Sequence, residues 1–378
     1  MEKKYLKMKG SQNLRAILLL STLSSTPILI DDIRSTDINP GLRPYEVSLL
    51  RLIEKVCDNC SVVINETGTK LKYKPGIVMG GKFLEHDCGL SRSIGYFLEV
   101  LIVLGLFGKN PLQITLKGIT NDSKDPSVDA FKSTTLNILK RFGVSSQGLA
   151  LKIQSRGVPP MGGGQVVLSI PILHTSLTAV NWIDEGMVRR IRGVSFSTRV
   201  SPKLEPALVC SARGIFNKFL PDVYIFTDHM GAAQVGTSPG YGVSLVAETT
   251  SQCFISADTA VHRPHKEETA EMEDDVEVSL KSAEDVGVNI ATALLGEIEQ
   301  GGVVDSTHQG LLFILCALCP QDVSKVRVGK LSPYGIEILR LVKEFLGVKF
   351  DIKSDPSTGT LILKCVGCGL KNLSRKFS

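Results

Sequence analysis

The segment Arg156-Gly157-Val158-Pro159-Pro160-Met161-Gly162-Gly163-Gly164-Gln165-Val166 concentrates the residue types from which anion-binding loops are built. Two prolines stiffen its first half, and three consecutive glycines let the second half take positive φ or approach another surface closely. Two structures fit such residues: a cradle whose backbone N–H groups face a phosphate, or a hairpin corner with a bulge. A cradle should open a helix, whose N-terminus adds to the field that holds the anion. Here the glycines open a strand-like run, Gln165 to Pro171 with Val166, Val167, Leu168 and Ile170, which favours the corner.

Two other groupings invite chemistry. His86-Asp87-Cys88 sets an imidazole, a carboxylate and a thiol side by side, the components of a nucleophile set. Sequence neighbours need not converge in space, however, and the block reads as a turn before a helix. The nine cysteines include three Cys-x-x-Cys pairs, Cys57/Cys60, Cys316/Cys319 and Cys365/Cys368, and two such pairs could surround a tetrahedral zinc ion. Compact ribbon spacing is absent. Cys57 closes an apolar helical run, and Cys316 and Cys319 lie within the apolar stretch Leu311–Cys319. Cysteine in such a setting is a small buried hydrophobe, so reduced thiols, no metal and no cofactor are expected.

The elements that must position these residues repeat three times, in the order strand, short link, amphipathic helix, strand, turn, strand. Pro27–Ile30 leads to a helix from about Pro44 to Cys57, with strands near Ser61–Asn65 and Lys70–Lys74. Pro111–Leu116 leads to a helix over Ser127–Phe142, then strands over Leu149–Ile153 and Gln165–Ile170. Val323–Val328 leads to Tyr334–Leu346, then Val348–Ile352 and Thr360–Cys365. A further helix precedes each leading strand, over Leu14–Leu23, Leu90–Leu104 and Gln309–Leu318. Each unit alone leaves an apolar sheet face and an apolar helix face uncovered, and packing three around a common centre buries them all.

The expected fold is therefore α+β, with three repeated βαββ-type units, flanking helices and a small inserted α/β domain. Residues 1–185 and 281–378 form the large domain, and 186–280 the insertion between the second and third units. A basic stretch with Arg189, Arg190, Arg192, Arg199 and Lys203 leads into the insertion. An acidic run, Glu267 to Glu277, leads out and reads as a solvated, flexible loop near 265–278. With 378 residues and 43% hydrophobic content the chain can build real cores. The net charge of +5 permits an acidic partner such as RNA without requiring one. No apolar run reaches membrane-spanning length and the N-terminus lacks a signal-peptide pattern, so a soluble intracellular protein is expected.

The glycine-rich segment resembles the signature of the RNA 3'-terminal phosphate cyclase family, with Arg156, Gly157, Pro160, Gly162, Gly163 and Gly164 at its fixed positions. Gly10-Ser11-Gln12-Asn13-Leu14-Arg15, Ile33-Arg34 and Asn39-Pro40-Gly41-Leu42-Arg43-Pro44 are similar to the family's N-terminal blocks. The resemblance runs from residue 10 to beyond 360. It implies three βαββ-type units plus one insertion, in agreement with the repeat. Cyclases of this family join a nucleotide to a histidine and pass it to an RNA 3'-phosphate, which closes to a 2',3'-cyclic phosphate. That chemistry needs a nucleophilic imidazole, basic groups around phosphates and a metal-holding carboxylate.

The family's His-x-x-Asp-Gln block falls on Asp305-Ser306-Thr307-His308-Gln309, so the resemblance puts Asp305 at the nucleophile's position and His308 at the acidic one. An aspartate cannot form the phosphoramidate. Met8, Asp37, Tyr45-Glu46 and Glu99 also depart from the family's acidic residue, arginine, Gln-His and glutamine. Arg15, Arg34, Arg43 and Arg156 persist as candidates to hold RNA or an anion, or else as partners of Asp31, Asp32 or Glu46.

The wording Arg92-Ser93-Ile94-Gly95-Tyr96-Phe97-Leu98-Glu99 resembles the cyclase-like branch. That resemblance implies a catalytically silent nucleolar factor in 40S subunit biogenesis. It would act in the small-subunit processome on pre-18S rRNA, with a ribosome-biogenesis GTPase, pre-rRNA and a small nucleolar RNP as partners and no membrane. Two rivals are a cyclase using His308 and an endonuclease using Lys325, Arg327, Lys330 and Asp305. Arg189–Arg199 and the tail residues Lys371, Arg375 and Lys376 are further RNA-facing candidates, with a solvated charged face as the alternative.

Overall fold

The computed structural model describes residues 5–231, 234–262 and 282–372. The acidic run and the tail residues Arg375 and Lys376 lie outside these ranges.

The first unit comprises β1 (Leu6–Lys9), α1 (Leu14–Ser24), β2 (Ile28–Asp31), α2 (Pro44–Val56), the two-residue β3 (Cys57–Asp58), β4 (Ser61–Ile64) and β5 (Leu71–Lys74). β6 (Ile77–Val78) pairs with β3 and leads to the second unit. That unit comprises β7 (Gly81–Asp87), α3 (Ile94–Leu106), β8 (Leu112–Gly118) and a helix in three parts. The parts are α4 (Val128–Ala130), a π-helical turn (Phe131–Thr135) and α5 (Leu136–Arg141), after which come β9 (Ala150–Ser155) and β10 (Gly164–Ile170). The third unit begins with β11 (Asn181–Trp182). The inserted elements follow: β12 (Val188–Thr198), α6 (Leu204–Phe216), β13 (Val223–Asp228), β14 (Gly240–Thr249), β15 (Phe254–His262) and α7 (Ala283–Gln300). The third unit then resumes with α8 (Gln309–Leu318), β16 (Val323–Val328), α9 (Pro333–Leu346), β17 (Asp351–Asp355) and β18 (Thr360–Val366).

Three of the sheets share one topology: β1-β2-β5-β4, β7-β8-β10-β9 and β11-β16-β18-β17. In each, the first strand lies parallel to the second and the other pairings are antiparallel. Every unit thus carries one more strand than the repeat visible in the sequence. The added strand comes first, so β11 places the insertion inside the third unit rather than between the second and third.

α1 packs against α3 and α9, so helices of all three units meet at the centre. The sequence explains this placement: α3, Ile-Gly-Tyr-Phe-Leu-Glu-Val-Leu-Ile-Val-Leu-Gly-Leu, is apolar on every side and buried except at Glu99. A helix apolar all round belongs in a core. It begins at Ile94, not at Leu90, because Ser93 is still extended.

The inserted sheet has the order β13-β12-β14-β15 and a second apolar cluster beneath α6 and α7. That cluster includes Ala283, Val286, Ile290 and Leu294, beyond residue 280 where the sequence ends the insertion. Gly287 lets the two helices touch, since a Cβ there would lie 2.4 Å from the Leu208 carbonyl oxygen. Among the described residues, no helix is long and apolar enough to cross a membrane.

Candidate functional site

Arg15 lies one residue inside α1 and points into the junction of the three units. Its guanidinium meets Glu99 of α3 at 2.8 Å and Asp125, in the loop after β8, at 3.2 Å. It also stacks over Tyr96 at 5.1 Å and Tyr334 at 5.3 Å, and the Tyr334 hydroxyl donates to Glu99. Burial works against this cation, but Glu99, Tyr334 and Asp125 outweigh it and hold the guanidinium above its ordinary value. Asp125 is shared: Arg92 donates to it at 2.6 and 2.5 Å while lying over Tyr45 and Tyr96.

Arg34 sits 12 residues before Glu46 and grips it with two hydrogen bonds of 2.7 and 2.8 Å. The local sequence fixes that carboxylate. Pro44 begins α2, and Glu46, at the third helical position, reaches back to the Arg43 N–H at 2.7 Å. The Arg43 side chain is turned outward to Asp37 at 3.2 Å and the Asn39 carbonyl at 2.8 Å.

Arg156 stands elsewhere, between the second unit and the insertion. It is 1% exposed, pairs with Asp129 through two bonds of 2.8 and 2.9 Å, and reaches Asp228 of β13 at 2.7 Å. Its backbone pairs with the inserted segment, through Arg156 N–H to Gln234 O at 2.9 Å and Gly236 N–H to Arg156 O at 2.7 Å. The glycines that follow serve the same seam. A Cβ on Gly163 would lie 2.8 Å from Gly236 Cα, and one on Gly236 would lie 1.9 Å from Gly162 O. Gly162 and Gly163 have φ of 60° and 87°, and Gly164 begins β10. The signature segment is thus the corner of a hairpin against which a loop of the insertion packs, and its backbone N–H groups do not converge at a helix N-terminus.

His308 caps α8 and is buried. Its Nδ1 lies 2.8 Å from Asp305 Oδ1, and its Nε2 lies 2.9 Å from the Thr135 hydroxyl of the π-helical turn. Asp305 also accepts from the Ser256 N–H and hydroxyl of β15, both at 2.8 Å. Burial opposes both charges, yet each partner favours the other: Asp305 is held below the usual carboxylate range and His308 above its ordinary value. A nucleophilic imidazole must aim a free lone pair at phosphorus, and both ring nitrogens here have partners. The cavity beside His308, walled by Glu99, Pro126, Phe131 and Thr135, measures about 20 Å³. That is room for one water, not for a nucleotide.

The remaining candidates are dispersed. Arg327 is bound to Asp355, Thr358, Thr360 and the Ile183 carbonyl, all at 2.7 to 2.9 Å. It shares no partner with Asp305. His86 faces Ser48 at 3.0 Å, Asp87 closes the turn through Gly89, and burial pushes the Cys88 thiol well up. Among the described residues no three His, Cys, Asp or Glu side chains are placed to hold a metal ion. Asp125, Tyr334 and Thr135 had no motif to mark them in the sequence, and Arg92 was marked only by the block that resembles the cyclase-like branch. Their roles come from convergence of distant segments.

Comparison with known proteins places this geometry. Residues 6–352 match the model of the family described as RNA 3'-terminal phosphate cyclase. A protein of Arabidopsis thaliana, named probable RNA 3'-terminal phosphate cyclase-like protein, is 65% identical over 98% of this chain and 99% of its own. The RNA 3'-terminal phosphate cyclase-like protein of Homo sapiens is 48% identical over 97% of this chain and 96% of its own. In Schizosaccharomyces pombe the rRNA processing protein rcl1 is 38% identical over 98% of each chain. The chain belongs to the RNA 3'-terminal phosphate cyclase family, and its relatives in Arabidopsis thaliana and Homo sapiens are named cyclase-like.

Proposed function

We propose that this protein is a ribosome-biogenesis factor that keeps the cyclase scaffold without its catalysis and supports processing of pre-18S rRNA. The observation that carries the reading is the pairing of Arg15 with Glu99 and of Arg34 with Glu46. Those carboxylates stand where the family resemblance expects an uncharged glutamine and a histidine. A nucleotide phosphate approaching either arginine would meet a carboxylate as well. One such like-charge contact is worth about 4 kcal/mol at intermediate dielectric, the whole interval between micromolar and millimolar affinity.

The second support is Asp305 at the nucleophile's position, with His308 locked between it and Thr135. The name of the S. pombe relative, rRNA processing protein, supplies the process. On this reading the protein works in the nucleolus, within the small-subunit processome, beside a GTPase and pre-rRNA.

Two assays test it. Purified protein is incubated with labelled ATP or GTP, divalent metal and 3'-phosphorylated RNA, next to an active cyclase. The expected result is no acid-labile adduct and no cyclised end; an adduct lost in His308→Ala would restore the enzyme. Depletion in cells should accumulate 18S precursors and spare the large-subunit RNA. Normal 18S maturation after depletion would end the rRNA reading.

A further inference from the structure

A cleft of about 630 Å³ opens between the second unit and the inserted sheet, away from Arg15, Glu99 and His308. Its size is that of a small-ligand site. Strand alternation builds the floor. Ile191, Ile225, Leu245 and Ala247 point to α6 and α7, so Arg192, Val194, Phe226, Ser244 and Val246 occupy the other face. Register sets Arg192 beside Tyr224 and Val194 beside both Phe226 and Ser244. Lys132 and Asn137, from the π-helical turn and α5, form the opposite wall.

Three features point to a ligand, the first being Phe226 of the lining with Tyr224 packed against it from outside. Tyr224 and Phe226 are 54% and 53% exposed on the edge strand β13, ring edge to ring face with centroids 4.4 Å apart. Paired exposed aromatics on a sheet edge form a stacking platform. Ser244, only 3% exposed, lines the cleft with a buried hydroxyl that has no hydrogen-bond partner among the described residues. Buried hydroxyls are nearly always satisfied. The lining charges also balance, with Lys132, Arg156 and Arg192 against Asp129, Asp228 and Glu248. A balanced interior favours a neutral planar group over a phosphate. Of the lining cations, Arg192 is bound to Asp222 through two hydrogen bonds of 2.8 and 2.9 Å and Arg156 is buried, so the exposed Lys132 is the one placed to meet a phosphate.

We infer that this cleft binds an unpaired RNA base. Phe226 stacks on the base, Tyr224 braces that ring, and the Ser244 hydroxyl bonds to an edge of the base. Lys132 meets a flanking phosphate. The inference rests on the proposed role in rRNA processing and adds to it the form of RNA that is recognised.

The test is fluorescence anisotropy of the full-length protein with a short single-stranded RNA and with its duplex, at physiological salt. The single strand should bind more tightly. Phe226→Ala should weaken it about tenfold, the scale of one lost base stack, whereas Phe226→Trp should retain affinity. Ser244→Val should weaken it less. Because Phe226 is half exposed, a thermal melt should be unchanged in both variants at that position. Thiouridine crosslinks should map to β13.

Equal affinity for duplex and single strand overturns the inference, as does unchanged single-strand affinity in Phe226→Ala. So does loss of a protein partner, but not of RNA, in the same variant, which would make the cleft a polypeptide dock. None of these outcomes touches the depletion assay, so the cleft and the rRNA-processing role fail separately.

Discussion

Replacing Arg156 with methionine separates a clamp from an anion ligand at the family signature. The guanidinium makes two short bonds to Asp129 and one to Asp228 while only 1% exposed, and Asp129 is itself buried. Removing the cation strands the Asp129 carboxylate, a loss on the order of 3–5 kcal/mol. That is a large part of the ~5–15 kcal/mol by which a domain is stable. Urea unfolding at pH 7.5 should therefore show a markedly lower midpoint. Arg156→Met with Asp129→Asn should recover more than half of the loss, since no unpaired charge then remains at Asp129.

The pH dependence carries the opposite sign in wild type and variant. In wild type, Arg156 depresses Asp129 against the effect of burial. The pair's contribution is present above the ordinary aspartate pKa and is lost as pH falls through the depressed value. In Arg156→Met, burial alone raises Asp129, so protonation relieves the strain and the deficit shrinks as pH is lowered from 7.5 toward 5. A variant with the wild-type midpoint but weakened RNA binding would refute the clamp and make Arg156 an anion ligand.

Other outcomes follow from the same contacts. Gly236→Ala drives a methyl group to 1.9 Å from Gly162 O; thermal unfolding should fall by several degrees, whereas Gly214→Ala on α6, with nothing within 4 Å, should hold or rise. Glu46→Gln with Glu99→Gln removes the carboxylate from Arg34 and leaves Arg15 with Asp125 alone, and calorimetry should show pyrophosphate affinity at least tenfold higher with still no covalent adduct. Unchanged affinity would mean the carboxylates are not what excludes phosphate. Burial, with Asp129 and Asp305 nearby, pushes the Asp258 carboxyl up to about 6 although Ser127 hydrogen bonds oppose the rise. Its protonated form is favoured in the fold, so stability is lost as pH rises from about 4 through about 6. Asp258→Asn should remove that slope and gain up to about 3 kcal/mol at pH 7.5 by denaturant titration; an unaltered pH profile would discount the group.

The helices and the three leading strands were legible because each carries its apolar period over enough residues to be counted. The first strand of every unit was not. β1 has four residues and β11 two, too short for alternation to register, and β7 is broken by a bulge between Gly81 and Leu84. The far end of the insertion was missed for a different reason. α7 reads as an amphipathic helix anywhere, and only contact with α6 assigns it to the inserted sheet. At the site, Glu46 and Glu99 could be noticed as departures from a pattern. Their pairing with Arg34 and Arg15 could be foreseen only in the first case, where 12 residues separate the partners. Arg15, Glu99, Asp125 and Tyr334 come from all three units and have no shared spacing.

Persistence of arginines in such a family is weak testimony for anion binding. Arg15 sits where α1, α3 and α9 meet, and its removal would leave Glu99 and Asp125 short of a cation in a largely buried place. Once a carboxylate has entered at residue 99, the arginine is retained by the cost of stranding that carboxylate, whether or not a phosphate ever visits. The same holds for Arg34 with Glu46. On the proposed reading, an acid in place of the uncharged partner turns a phosphate-ready cluster into a structural one while leaving every arginine in place. The residues that report function are then the carboxylates facing the arginines, together with polar atoms such as Ser244 Oγ that the fold buries with no partner among the described residues.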